Sequence, residues 1–85
     1  MPVSSPQDAL QEIWQQVLDV PEVGLDDDFF RMGGHSLLAL AVASNVRRVF
    51  GVEMLLIDVY ENRTMRAQLA LLARGGRGPA SSQPE

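Results

Sequence analysis

The chain has 85 residues, which is enough for one small domain and too few for most enzyme folds. An apolar fraction of 46% favours a folded core, and a formal charge of −4 excludes the basic surface typical of nucleic-acid-binding proteins. Cysteine is absent, so the chain has no disulfide or thiolate metal ligand, and any thiol used in its function has to come from a bound group.

The first predicted element is a helix that begins after Ser5 and ends near Asp19. Ser5 is a favourable N-cap, Pro6 suits the first turn, and Pro21 prevents the helix from continuing. Apolar residues recur every three or four positions, which predicts one buried stripe made of Leu10, Ile13, Trp14, Val17 and Leu18.

Residues 21–35 are predicted to form a long, ordered loop, because they lack helical or strand periodicity. Phe29 and Phe30 each gain about 1.5–3 kcal/mol on burial, so we expect them to attach the loop to the helices. The aspartates at 26–28 lack the alternating acids and central Gly of a calcium loop. We interpret them as a solvated turn with one capping aspartate, and we predict no metal site.

A second helix is predicted from Ser36 to Phe50, ending at Gly51. Gly33 and Gly34 allow a sharp turn that brings Ser36 to the first helical position. Unpaired N–H groups and the helix dipole favour an anion there. The same pattern also fits a serine that serves only as the N-cap.

The faces of this helix follow from placing its residues at 100° steps. The predicted buried stripe comprises Leu38, Val42, Val46, Val49 and Phe50. Leu37 and Leu40 fall on the polar face near Ser36, and two leucines beside an exposed hydroxyl indicate a docking patch. Alternatively, Leu37 folds back over the glycine loop.

No catalytic residue is predicted. His35 is the only histidine and is adjacent to Ser36, so the two side chains diverge on a helix. Leu38 also stands where a nucleophile elbow requires Gly. We therefore interpret Ser36 as a substrate and His35 as a solvent-facing loop residue.

The stretch 55–60 is too short to assign from its period, and we favour a short helix because no partner strand is nearby. Thr64 is predicted to cap a last helix in which Met65, Leu69 and Leu72 share a face. We expect three regions: a flexible N-terminus (1–5), a folded domain (6–73) and a disordered, Gly/Pro/Ser-rich tail (74–85). The sequence has no signal region and no apolar run near the roughly 18 residues of a membrane span, so we expect a cytoplasmic location and no membrane partner.

Residues 27–37, with the sequence DDFFRMGGHSL, resemble the attachment motif of peptidyl carrier proteins, the thiolation domains of nonribosomal peptide synthetases. The resemblance extends over residues 9–72. It implies an all-α fold, a small four-helix bundle of the acyl-carrier type with a short third helix. It also implies that Ser36 receives the cofactor 4'-phosphopantetheine from coenzyme A, with a presenting loop made of Gly33, Gly34 and His35.

The resemblance further implies the partners of the chain. A phosphopantetheinyl transferase would attach the arm, and its thiol would carry aminoacyl or peptidyl groups between adenylation, condensation, tailoring or thioesterase enzymes. Leu37 and Leu40 match positions at which such carriers contact their partners, and the chain is expected to be a monomer. Arg31 and Arg63 depart from the family pattern, which bears on the choice of partner rather than on the modification.

Two alternative functions stay open at this point. An acyl carrier protein of fatty-acid or polyketide synthesis would share the fold and cofactor, but such carriers tend to have a strongly acidic second helix, whereas this one bears Arg47 and Arg48. An unmodified helical interaction module would use Leu37 and Leu40 to fill a groove. The initial Met and the polar tail fit a free-standing carrier, and an excised domain would look nearly the same.

Overall fold

The computed structural model describes residues 5–76, and within this range the regular secondary structure consists of four helices with a short third helix. Their bounds are α1 Pro6–Leu18, α2 Ser36–Phe50, α3 Leu56–Glu61 and α4 Met65–Ala73. The predicted all-α, four-helix architecture is confirmed. The stretch 55–60, which periodicity could not assign, lies almost entirely in α3.

Local capping chemistry sets the ends of the helices. The Ser5 hydroxyl accepts a hydrogen bond from the Asp8 N–H at 3.1 Å, and Asp19 ends α1 in the left-handed conformation, with φ of 57°. Gly51 ends α2 in the same way, with φ of 70°, and Thr64 Oγ1 accepts from the Ala67 N–H at the start of α4. The predicted helix boundaries are therefore confirmed.

A buried polar side chain links α1 to α4. The Trp14 indole donates from Nε1 to Gln68 Oε1 at 3.0 Å, and Gln68 Nε2 donates to the carbonyl oxygen of Asn62 at 2.9 Å. Both side chains are fully buried, so each polar group needs the partner it has. No pattern in the sequence indicated this pairing, because a glutamine is normally a solvent-facing residue.

One predicted core face is partly wrong. Val49 was predicted to be buried and is 47% exposed. The buried residues of α2 centre on a direction about 70° away from Val49 at 100° per residue, which leaves Val49 at the edge of the buried face: Ala39, Val42, Ala43 and Val46. On α4 the buried residues are Met65, Gln68 and Leu71. Leu69 and Leu72 are partly buried and pack against the core on the face that they share with Met65, which confirms the predicted face of α4.

The chain remains hydrogen-bonded for three residues past the predicted boundary at 73. The N–H groups of Gly75 and Gly76 donate to the carbonyl oxygens of Leu72 and Leu71, both at 2.9 Å. Gly76 is buried and forms a bridge with Glu53. The rest of the predicted tail, 77–85, and the N-terminal residues 1–4 lie outside the described residues.

Candidate functional site

Ser36 lies exposed at the first position of α2. His35 has the extended backbone of an N-cap, with φ of −151° and ψ of −178°, and Ser36 already has helical geometry. The interpretation of Ser36 as only an N-cap is therefore wrong. The Ser36 hydroxyl does not cap α2, and the neighbouring His35 is also exposed.

Two glycines bring the chain to this position. Gly33 has φ of 105°, a conformation that residues with a Cβ rarely adopt. The Gly34 N–H donates to the Phe29 carbonyl at 3.0 Å, and a Cβ on Gly34 would overlap the Phe29 ring. Phe29 is itself fully buried, edge-on to Trp14 with ring centroids 5.1 Å apart. The hydrophobic core therefore sets the place at which Ser36 emerges.

The start of α2 suits an anion. Within residues 5–76 no side chain caps this helix, and its first turn contains no acidic residue. The Ala39 N–H makes the first intrahelical bond, to His35, so the N–H groups before it have no intrahelical partner. These donors and the positive end of the helix dipole adjoin the Ser36 hydroxyl.

The Ser36 hydroxyl is hydrogen-bonded to the hydroxyl of Tyr60, with the two oxygens 2.6 Å apart. Tyr60 lies near the end of α3, and its ring stacks on Phe30 with centroids 4.6 Å apart and planes 12° from parallel. The Arg63 guanidinium lies over the Phe30 ring, 4.9 Å from its centroid, and forms an ion pair with Asp28. A continuous set of contacts therefore leads from Asp28 to Ser36.

Sequence reasoning did not identify Tyr60 as a site residue. The available signal was that Tyr60 is the only tyrosine and lies in an apolar run, where the ring packs and the hydroxyl needs a polar partner. Nothing in the spacing showed that this partner is Ser36, 24 residues away.

The predicted capping aspartate is Asp28, which confirms that interpretation of the aspartate run. Its Oδ1 accepts hydrogen bonds from the N–H groups of Phe30 at 2.9 Å and Arg31 at 3.2 Å, while Oδ2 accepts from Arg63 at 3.0 Å. Partial burial raises the pKa of the Asp28 carboxyl, but the Arg63 hydrogen bond, the backbone donors and the Arg63 charge together bring this pKa below its ordinary value.

The neighbouring aspartates also have structural partners. Asp27 accepts from the Gly24 N–H at 2.7 Å, and Asp26 accepts two hydrogen bonds from Arg66, at 2.8 and 3.2 Å. The hydrogen bonds and charge of Arg66 lower the pKa of the Asp26 carboxyl. Among residues 5–76 no cluster of His, Asp or Glu side chains is arranged to hold a metal ion.

The two leucines flanking Ser36 are exposed, 73% for Leu37 and 50% for Leu40. Leu37 therefore does not fold back over the glycine loop, and that alternative is wrong.

None of the four helices described in residues 5–76 is long and apolar enough to cross a membrane.

Comparisons with known proteins agree with this geometry. The family model for the phosphopantetheine attachment site matches residues 8–72. Tyrocidine synthase 3 of Brevibacillus parabrevis is 40% identical over 76 residues, which cover 89% of this chain and 1% of the synthase. Gramicidin S synthase 2 of Brevibacillus brevis is 42% identical over 69 residues, which cover 81% of this chain and 2% of the synthase. The chain thus spans a very small part of the length of these curated relatives.

Two solved structures share the fold. One is the phosphopantetheine transferase Sfp in complex with coenzyme A and a peptidyl carrier protein, with a TM-score of 0.78 and 39% identity over 85% of this chain and 94% of the matched one. The other is McyG A-PCP complexed with phenylalanyl-adenylate, with a TM-score of 0.77 and 29% identity over 85% of this chain and 11% of the other. These findings confirm the resemblance to peptidyl carriers, and they show that the chain belongs to the phosphopantetheine attachment-site family.

Proposed function

We propose that this chain is a peptidyl carrier in which the Ser36 hydroxyl is the point of attachment of 4'-phosphopantetheine. The observation that supports this most directly is the exposure of that hydroxyl at the first position of α2, beside N–H groups that no side chain within residues 5–76 caps. Membership of a phosphopantetheine attachment family supplies the identity of the cofactor.

The residues around Ser36 fit a phosphodiester. The group carries a negative charge, and the first turn of α2 offers unpaired donors and no acidic side chain. Gly33 and Gly34 add no side chain to the approach, and His35 lies exposed. These three residues form the proposed presenting loop.

The modification is a transfer in which Ser36 is the acceptor. A bond forms between Ser36 Oγ and the phosphorus nearer to the pantetheine unit of coenzyme A, and the phosphorus–oxygen bond to the other phosphate breaks. Adenosine 3',5'-bisphosphate leaves, and the hydroxyl proton goes to a base. The hydrogen-bond partner of Ser36 Oγ is a tyrosine hydroxyl and not an imidazole or carboxylate, so the base comes from the transferase and this chain is a substrate.

Once attached, the arm supplies the thiol that a chain without cysteine lacks, and it carries aminoacyl or peptidyl groups as thioesters. We propose Leu37 and Leu40 as contacts for the transferase and for adenylation, condensation, tailoring or thioesterase enzymes. Apolar contact fits this helix better than acidic steering, because Arg47 and Arg48 are its charged residues. Because coenzyme A is the donor of the arm, we propose that the chain acts in the cytoplasm.

The test is intact-mass measurement after incubation with coenzyme A and a broad-specificity phosphopantetheinyl transferase. We expect one phosphopantetheinyl addition to the chain and none to Ser36→Ala. Ser44→Ala is a matched control, since Ser44 is another exposed hydroxyl about two turns further along α2, and this variant should be modified normally. An unmodified interaction module would gain no mass, and that result would refute the proposal.

Loading assays separate the two kinds of carrier. A peptidyl carrier should receive an aminoacyl group from at least one enzyme in a panel of adenylation enzymes. Efficient malonyl or fatty-acyl transfer with no aminoacyl product would favour an acyl carrier protein instead.

A further inference from the structure

The contact between Ser36 and Tyr60 joins two elements at the one hydroxyl that the proposed function uses. The oxygens are 2.6 Å apart, which is a short hydrogen bond between hydroxyl groups, and the residues belong to α2 and α3. Ser36 is otherwise an exposed side chain at a helix start, so this bond is what selects one direction for its hydroxyl.

The Tyr60 ring is itself held in place. It stacks on Phe30, whose ring lies edge-on to the fully buried Phe29 with centroids 5.3 Å apart. Arg63 covers Phe30 and is bound to Asp28, which also accepts the Phe30 N–H. The tyrosine hydroxyl is therefore presented by a packed support and not by a freely rotating side chain.

The direction of the hydrogen bond follows from acidity. A phenol is a stronger acid than an aliphatic alcohol, so Tyr60 is the better donor and Ser36 Oγ the better acceptor. A serine oxygen has two lone pairs, and accepting one bond leaves the other for attack on phosphorus. The contact is thus compatible with modification and does not need to break first.

We propose, resting on the function proposed above, that the Tyr60 hydroxyl is a positioning group for the attachment site. It donates to Ser36 Oγ before modification and to a non-bridging oxygen of the phosphodiester afterwards. Esterification makes Ser36 Oγ a poorer hydrogen-bond acceptor. The phosphorus now bonded to Ser36 Oγ also carries two non-bridging oxygens, which share the negative charge. The Tyr60 hydroxyl therefore donates to a non-bridging oxygen, because a charge-assisted hydrogen bond to an anionic oxygen is stronger than one to a neutral oxygen.

The first test uses the fact that the chain has a single tyrosine. Tyrosine labelled with ¹³C at Cζ gives one resonance, whose position depends on the hydrogen bonding of the hydroxyl. In the unmodified protein we expect this resonance to shift in Ser36→Ala and to stay in place in Ser44→Ala. An unchanged resonance in Ser36→Ala would show that the bond is not made in solution and would overturn the inference.

The second test compares modified wild type with modified Tyr60→Phe, which keeps the ring and its stacking but loses the hydroxyl. We expect the ³¹P resonance of the phosphodiester to differ between the two, and the modified Ser44→Ala variant to match wild type. Identical ³¹P resonances for wild type and Tyr60→Phe would overturn the part of the inference that concerns the modified state.

Transferase kinetics give a third readout that a purely structural role would not produce. Without the hydrogen bond from Tyr60, the Ser36 hydroxyl samples about three staggered positions. Tyr60→Phe should therefore lower the transferase kcat by up to about threefold, with KM unchanged. An unchanged kcat would contradict positioning. If wild type itself gains no phosphopantetheine, the proposed function fails. If wild type is modified but the tyrosine resonance does not shift in Ser36→Ala, or Tyr60→Phe matches wild type in both the ³¹P resonance and kcat, only this inference fails.

Discussion

The two sides of the segment that leads into α2 differ in what holds them. On one side, Phe29 is fully buried against Trp14, and Gly34 lies so close to the Phe29 ring that no side chain fits. On the other side, Leu37 and Leu40 are largely exposed. Ser36 lies between the two. The buried side determines where the hydroxyl is, and the exposed side is available to partners, so changes on the two sides should affect different measurements.

The largest effect on stability should come from the buried side. Phe29→Ala removes a fully buried ring from the contacts with Trp14 and should lower the free energy of unfolding by about 3–5 kcal/mol in urea titrations. Phe30→Ala is the matched control, because Phe30 is only half-buried and its loss should cost less. An equal loss for the two variants would show that Phe29 is not the principal anchor of the loop.

Gly34→Ala should have the next largest effect. The added Cβ would meet the Phe29 ring and carbonyl, and overpacking of this kind costs about 1–3 kcal/mol. We also expect slower modification by the transferase, since the loop that presents Ser36 has to shift. If Gly34→Ala had the stability and the modification rate of wild type, that result would contradict the close packing of Gly34 on Phe29.

Changes on the exposed side should separate stability from function. Leu37→Ala or Leu40→Ala should change the free energy of unfolding by no more than about 0.5 kcal/mol, yet should raise the transferase KM or weaken loading by partner enzymes. Val49→Ala is the control, because Val49 is also exposed and lies near the far end of α2. Similar KM values for all three variants would argue against docking at Leu37 and Leu40.

The helix boundaries could be predicted because local chemistry sets them. Ser5, Asp19, Gly51 and Thr64 act on backbone groups within a few residues, and each one ends or begins a helix as its position in the sequence predicted. The exposure of Leu37 likewise follows from the helical period of α2 alone.

The parts that could not be predicted depend on tertiary contacts. Trp14 meets Gln68 across 54 residues of sequence, and Ser36 meets Tyr60 across 24. The exposure of Val49 depends on which edge of the apolar face of α2 the packed helices cover. No period or motif in the sequence indicates these arrangements, because each one requires the packed fold to bring the residues together.

The smallest predicted effect concerns pH and the ion pairs that attach the loop to α4 and its preceding turn. The carboxyl pKa values of Asp26 and Asp28 are lowered in the fold, so the stability they contribute is fully present above the unfolded value of about 3.9 and is lost as the pH falls through the lower folded values. The free energy of unfolding should therefore decline below about pH 4.

Asp28→Asn should make this decline less steep, with Asp27→Asn as the control, because Asp27 bonds a backbone N–H and has no ion pair with arginine among the described residues. Identical pH profiles for wild type and Asp28→Asn, measured by urea unfolding at several pH values, would show that the Arg63–Asp28 pair contributes nothing to the pH dependence. Because Arg63 is about half exposed and Asp28 is only partly buried, solvent screens the pair and the effect should be well below that of Phe29→Ala.

The most direct measurement is to locate the modification within the chain by fragmentation mass spectrometry after treatment with coenzyme A and a phosphopantetheinyl transferase. We predict a single phosphopantetheinyl group on Ser36 and unmodified hydroxyls at Ser44 and Thr64. A group found on a different residue, or no group at all, would contradict the role of Ser36 as the attachment point.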